Sequence, residues 1–471
     1  MTDLPHDPAQ PDGGDEAKRP ELDPVAAIFG GMDPNDLGAA FQRVGKLLSW
    51  QGGPVNWDLA SEVARQTISQ GSDRSVGDGE RRQIADAVRL ADHWLDEATS
   101  LPAAGGAAAQ AWSRAEWFEA TLPVWRQLVE PVAAHVVSAM SGALPSEAAQ
   151  VPAAMLGMMR QVGGAMFGAQ VGQALGSLAG EVLGSTDIGL PLRADNAAAL
   201  LPANVAEFGS GLGLASDDVR LYLALREAAY GRLFAHVPWL APRLIGSIEE
   251  YGRGITIDTS RLEEAVRDLD PSRPESLQEA FAGGLFEPQV SPAQEVALRR
   301  IETLLALVEG WVDDVVTDAT ATRLPPAVQL REAVRRRRAA GGPAEQALAT
   351  LVGLELRPRR LREAATLWAL LRDKGGAIAR DAVWSHPDLL PSGEDLDDPQ
   401  AFVDRDDELD LSSLDDESEL LAQLDEGAGA ERRSPDAATE PEAGSDETDA
   451  AAGADDGADP ADRTTDTDGP G

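Results

Sequence analysis

Apolar residues recur at helical spacing through most of the first 390 positions. Leu37, Phe41, Val44 and Leu48 share one face of a helix that Asp33 can cap, with Pro34 in its first turn. The segment GGPVNWD at 52–58 ends that helix and starts another. Ile84, Val88, Ala91 and Leu95 give a second clean stripe. Trp112, Trp117 and Trp125 fall in a helix-like run that Pro123 is expected to interrupt, and tryptophans so close together read as core or as a seam. A glycine ladder follows: Gly164, Gly168, Gly172, Gly176, Gly180 and Gly184 recur every four residues. On a helix this is a smooth groove that another backbone can approach closely. Each glycine weakens the helix, so close packing has to compensate. Internal helix–helix packing is the first reading of the ladder; an oligomer seam or a transient membrane contact is the second.

The pattern then predicts a loop from Ser185 to Pro202 and a long helix from Ser216 to His236, with Asp217 and Asp218 at its positive end. Further helices are expected near 241–253, 260–268, 274–284, 292–317, 326–340, 343–354 and 359–373. Strand-like alternation is confined to 254–258. The fold class is therefore mostly α: a large multi-helix body with a disordered N-terminus and an acidic C-terminal tail. In residue terms, 1–24 is expected to be disordered, 25–390 forms the helical domain, and 391–471 is a disordered acidic tail. Leu411, Leu414, Leu421 and Leu424 keep helical spacing within that tail, so a short helix at 411–425 is an open alternative to a fluctuating segment.

Charge and composition narrow the chemistry. The formal charge of the 471 residues is −40, and positions 391–471 hold 28 acids against 4 bases. Such acidity argues against nucleic acid as a partner, because phosphate binding needs a basic footprint. There is no cysteine, which removes disulfides, thiolate nucleophiles and cysteine-ligated metals. The five histidines, His6, His93, His135, His236 and His386, are too far apart in sequence for any two to form a local metal-binding pair. His135 and His236 read as packed core residues. The longest charge-free stretch, Gln161 to Gly180, contains three Gln and six Gly and is too polar for stable membrane insertion. The N-terminal segment lacks the apolar core of a secretory signal, so a cytoplasmic location is expected.

The 216–236 helix carries the most informative residues. Val219, Leu223, Arg226, Tyr230, Leu233 and Val237 fall on one face, and Leu221 and Leu225 lie opposite, so the helix should be buried nearly all round. Arg226 is then a charge within an apolar face, which is costly unless paired. Around it, REAAY at 226–230 precedes FAHVPW at 234–239. This combination resembles a zincin-type metallopeptidase family of actinobacteria. One branch of that family is associated with deazaflavin-coenzyme biosynthesis, and another, which the chain resembles more closely, with hydrolases or zinc-dependent metalloproteases. The resemblance spans roughly 30–402. It includes GGPVNW at 52–57, WSRAEW at 112–117, the glycine ladder, EGW at 309–311, the basic run 335–338 with GGP at 341–343, and GLELRPRR at 353–360.

The resemblance implies an H-E-x-x-H helix, whose two histidines bind zinc and whose glutamate is the general base acting on metal-bound water. Here Arg226 and Tyr230 stand at the two histidine positions and Glu227 at the base position. Glu309 stands where a possible third ligand is implied, and Trp311 cannot ligate. No bound metal or other cofactor is therefore expected; zinc enters only if the family reading holds despite the lost histidines. The residues favour a pseudoenzyme, a metallopeptidase-like binding or scaffolding module with an unidentified protein partner. The alternative is an active hydrolase or zinc-dependent metalloprotease that uses non-standard or distant ligands. Arg226 is expected to take the place of the lost cation and pair with Glu309, with some other acid as the alternative partner. The run Arg335, Arg336, Arg337 and Arg338 is either a solvated helix face or a patch that docks a polyanion or the chain's own acidic tail.

Overall fold

The computed structural model describes residues 50, 53–105, 108–142, 153–254, 291–340, 347, 349 and 360–408. They form eleven α-helices: α1 (Trp57–Gln70), α2 (Asp78–Ala98), α3 (Arg114–Gly142), α4 (Ala153–Ala179), α5 (Pro202–Ser210), α6 (Ser216–His236), α7 (Leu240–Arg253), α8 (Pro292–Thr320), α9 (Ala327–Ala339), α10 (Leu361–Ala382) and α11 (Pro399–Glu408). The only strands among the described residues are β1 (Gln110–Ala111) and β2 (Ala199–Leu200), which pair in parallel with Gln110 opposite Ala199. None of the described helices is long and apolar enough to cross a membrane. The mostly α reading of the sequence is thus the observed fold class.

Local chemistry sets the helix starts. Asn56 caps α1 by accepting from Leu59 N at 3.0 Å. Glu80 reaches back to Gly77 N at 3.0 Å to close the first turn of α2. Ser291 and Gln294 form a reciprocal capping box at the start of α8, with contacts of 3.2 and 3.0 Å. Beyond these starts, packing decides. α8 is the central rod: α2, α6, α7 and α10 all lie against it, and its residues 304–316 are buried without a break. α2 also packs along α6 through its Ile84, Val88, Ala91 and Leu95 stripe.

The glycine ladder is an internal seam. Gly172 and Gly176 of α4 face α1, Gly168 faces its cap Asn56 and Gly164 faces Trp50 and Pro54 just ahead of it, in the most extensive helix pair of the described body. A Cβ at Gly168 would lie 2.4 Å from the carbonyl oxygen of Asn56, and one at Gly172 would lie 2.3 Å from that of Ala60. The backbones are close enough for Asn56 N to donate to Gly164 O at 3.0 Å. The stability lost by placing glycine in a helix is therefore offset by backbone-to-backbone packing that no larger residue permits.

Several sequence expectations are corrected. Pro123 does not interrupt its helix; α3 runs through both Pro123 and Pro131. Burial of Trp117, Phe118, Leu122, Trp125, Leu128 and Val129 outweighs the lost backbone hydrogen bonds. The expected 185–202 loop contains β2, which is too short to leave a pattern of alternation. The helix expected at 359–373 continues to Ala382 across a kink at Gly376, whose φ of 76° suits glycine. The packed body also extends past the change in composition at Pro391, since Leu396 and Val403 are buried and α11 lies on α10. The helices expected at 33–48, 260–268 and 274–284, the alternating segment beyond Gly254, the 1–24 segment and the 411–425 island lie outside the described residues. The helix expected at 343–354 is described only at 347 and 349.

The ladder geometry gives a direct test. Gly168→Ala and Gly172→Ala are expected to destabilise the protein by about 1–3 kcal/mol or more through overpacking. Gly163, on the same helix, has nothing within 4 Å of an added Cβ, and Gly163→Ala is expected to be neutral or stabilising by up to about 1 kcal/mol. Urea denaturation midpoints of the three variants check this contrast.

Candidate functional site

α6 is buried from Tyr222 through Phe234, with Arg226 and Glu227 inside. The two charges point to different neighbours. Glu227 is held by the turn that leaves α4. Its Oε2 accepts from Ser185 N at 3.1 Å and Ser185 Oγ at 2.7 Å, and its Oε1 accepts from Thr186 N at 3.0 Å and Thr186 Oγ1 at 2.7 Å. Gly184 makes room for this arrangement: a Cβ there would lie 2.3 Å from Glu227 Oε1 and 2.8 Å from the carbonyl oxygen of Ala199. Burial raises the Glu227 carboxyl above the ordinary glutamate range, Thr186 and Ser185 oppose that shift, and the nearby Asp187 adds to it.

Arg226 faces α8. Its Nη2 lies 2.8 Å from Glu309 Oε2 and 3.5 Å from Tyr230 Oη. Burial works against its charge, but Glu309, then Tyr222, Asp313 and Asp187, hold the guanidinium protonated even more firmly than usual. The other oxygen of Glu309 lies 2.5 Å from Arg338 Nη2 of α9. That contact is an ion pair lying off the line of a well-formed hydrogen bond, since Oε1 accepts none. Arg338 Nη2 also donates to the carbonyl of Asp187 and lies 3.4 Å from Tyr230 Oη. Tyr222, sealed beside Arg226, has its phenol pushed up to about 12, by burial first and with Asp313 adding to it against Arg226.

The basic run is directed mainly inward. Arg335 Nη2 lies 2.7 Å from Asp313 Oδ2, Arg337 Nη1 lies 2.8 Å from Asp187 Oδ2, and Arg338 binds Glu309. Only Arg336 spends its guanidinium along the exposed side of the helix, on Glu332. Three of the four arginines therefore compensate acids of the body, and the reading of the run as a solvated face or free patch is corrected. The signal for this lay in Asp187, Glu309 and Asp313, acids placed in apolar sequence that had to find cations. Burial tends to raise the Asp187 carboxyl, but Arg337 and Arg338 outweigh it and hold it below the ordinary range.

A second buried network lies along α8. Trp311 Nε1 donates to Asp381 Oδ1 at 2.8 Å, Arg380 Nε contacts the same oxygen at 2.8 Å, and Arg380 Nη1 reaches Asp314 at 2.9 Å. Thr99 Oγ1 and Ser100 N complete the shell of Asp381 at 2.6 and 2.7 Å. Burial again opposes ionisation of Asp381, but Arg380, Thr99 and Trp311 bring it below the ordinary aspartate range. Trp311 is thus a hydrogen-bond donor in a structural network. The expectation that His135 and His236 are core residues is also corrected: His135 is half-buried and His236 is exposed at the end of α6, while His93 and His386 are exposed.

The donors around Arg226 do not fit a zinc ion. Position 226 brings a cation, Tyr230 brings a phenol already facing two guanidinium groups, and both oxygens of Glu309 are committed to arginine. Glu227 is fully used by Ser185 and Thr186. Among the described residues, no group of three or more His, Asp or Glu side chains has metal-binding geometry.

Comparison with known proteins fits this architecture. A family profile described as zincin-like metallopeptidase matches residues 55–403. The crystal structure of a protein from Chloroflexus aurantiacus, described as a "putative hydrolase with a novel fold", superposes with a TM-score of 0.53 at 21% sequence identity, covering 75% of this chain and 99% of the other. That likeness is one of fold alone. No curated protein shows significant similarity.

Two outcomes are expected. Glu227→Gln leaves a backbone N–H of Ser185 or Thr186 facing a side-chain donor, and is expected to lower stability by about 1–3 kcal/mol in chemical denaturation. Asp187 and Asp381 titrate lower in the folded than in the unfolded chain. Their stabilisation is therefore present above the ordinary value of 3.8 and is lost as pH falls through their folded values. Asp187→Asn should flatten the acid limb of a stability-against-pH profile relative to the parent protein.

Proposed function

The chain belongs to the zincin-like metallopeptidase family, and from that premise we propose that it is a member without zinc-peptidase chemistry, acting as a binding or scaffolding module. One observation carries the reading: a guanidinium–carboxylate cluster, Arg226 with Glu309, stands at the positions where the resemblance implies the metal. The general-base position supports it as well. A glutamate that activates water needs access to that water, whereas Glu227 is buried and accepts four hydrogen bonds from Ser185 and Thr186. The site keeps the shape of its elements and serves as structure.

The partner implied by this reading is a protein. A chain with a formal charge of −40 repels polyanions, and the inward-facing arginines of α9 leave little basic surface in that region. Within the family, we place the chain with the hydrolase-like branch of actinobacterial members rather than with the deazaflavin-associated branch, on the motifs around α6 and α9.

Metal analysis of the full chain, purified without chelators, tests the proposal. Substoichiometric zinc, together with a melting temperature indifferent to added zinc or EDTA, is the expected result. One zinc per chain would overturn the proposal and favour the alternative, a hydrolase working through unrecognised ligands.

A further inference from the structure

Glu309 is bound from both sides. Arg226 of α6 takes Oε2 at 2.8 Å, Arg338 of α9 takes Oε1 at 2.5 Å, and Tyr230 Oη lies 3.5 and 3.4 Å from the same two guanidinium groups. Two permanent positive charges thus converge on the one carboxylate and the one phenol that the resemblance places around a divalent ion. Their total charge equals that of the ion. Arg338 does more than neutralise: through the Asp187 carbonyl it also ties in the loop that follows α4. A metal would join ligands on α6 and α8 only, whereas these arginines join α6, α8, α9 and the 185–190 loop.

We propose that Arg226 and Arg338 together replace the divalent cation, and that Arg338 alone is enough to keep a metal out of the site. This rests on the metal-free reading above and goes beyond it, because it assigns the exclusion to a second helix. Zinc–oxygen bonds are about 2.0–2.2 Å long. With a guanidinium nitrogen 2.5 Å from Glu309 Oε1, the approach to that oxygen is filled, and an incoming cation would also meet a fixed like charge. Restoring imidazoles at 226 and 230 is then insufficient while Arg338 remains.

The experiment compares zinc binding of three full-length proteins by competition with a chromogenic chelator: the parent, the Arg226→His/Tyr230→His variant, and that variant with Arg338→Met added. The expected result is no competition by the parent or by the double variant and competition by the triple variant alone, at an affinity at least about tenfold above the detection limit, because like-charge juxtaposition is removed. Equal affinity of the double and triple variants would overturn the role of Arg338. Stoichiometric zinc in the parent would overturn the metal-free reading itself, a distinguishable failure.

A thermal cycle keeps the proposal testable if the histidine variants do not fold. Arg338→Met should lower the melting midpoint in the parent background and lower it clearly less in a Glu309→Gln background. Equal losses in the two backgrounds would show that Arg338 does not act through Glu309, and would overturn the proposal.

Discussion

A carboxylate taken out of water must be compensated at short range, and much of the centre of this protein is arranged around that requirement. Glu309 lies in the 304–316 stretch of α8, which is buried on all sides and where an unpaired charge would cost several kcal/mol. The compensation comes from α6 and α9, so satisfying one side chain fixes how three helices meet. Asp313, one turn along α8, repeats the arrangement with Arg335, and Asp314 does so on the opposite side with Arg380. α8 is thus a rod with acids at 309, 313 and 314 that meet arginines of α6, α9 and α10. Such pairs add little net stability over a well-packed apolar core. What they specify is register, because a helix that slid or rotated by one or two residues would turn its acids away from their arginines.

Glu227 shows the other way of burying a carboxylate. Its partners are neutral donors, two backbone N–H groups and two hydroxyls of Ser185 and Thr186, and the consequence is opposite in sign: its carboxyl is raised, whereas those of Asp187 and Asp381 are lowered. Glu227 and the nearby Asp187 are therefore acids in contrasting electrostatic states. The contrast follows from whether a guanidinium or a dipole faces each oxygen.

The parts of this architecture that a sequence reveals are those set by local periodicity. The bounds Ser216 to His236 follow directly from the stripe of Val219, Leu223, Tyr230 and Leu233, and the four-residue glycine period announces a close backbone contact. The position of Arg226 within an apolar face signals a buried partner, and the EGW segment places an acid within a buried stripe. The inward turn of Arg335, Arg337 and Arg338 left its trace only in the acids they meet, Asp187, Glu309 and Asp313, and none in the run itself. Four consecutive arginines look alike along the chain, and only the crossing of α9 over α8 and the 185–190 loop decides which of them meets an acid. Pro123 misled for a related reason: its local cost is legible, whereas the tertiary packing that outweighs it is not. His236 is exposed because it falls on the outward side of the last turn of α6, between the buried Phe234 and Val237.

The seam between α1 and α4 has a consequence for how the chain reaches this state. The amide of Asn56 and the carbonyl of Gly164 are separated by more than a hundred residues of sequence, yet they meet at hydrogen-bonding distance. During synthesis, α1 leaves the ribosome well before the glycine surface that receives it. At about 5–20 residues per second the wait is roughly 5–20 seconds. Throughout that interval the face carrying Ala60 and Ala64 has no partner, and loop closure must be completed before the contact offers any return. The seam therefore cannot form until α4 has been made, and α1 carries an unpaired apolar face through that interval.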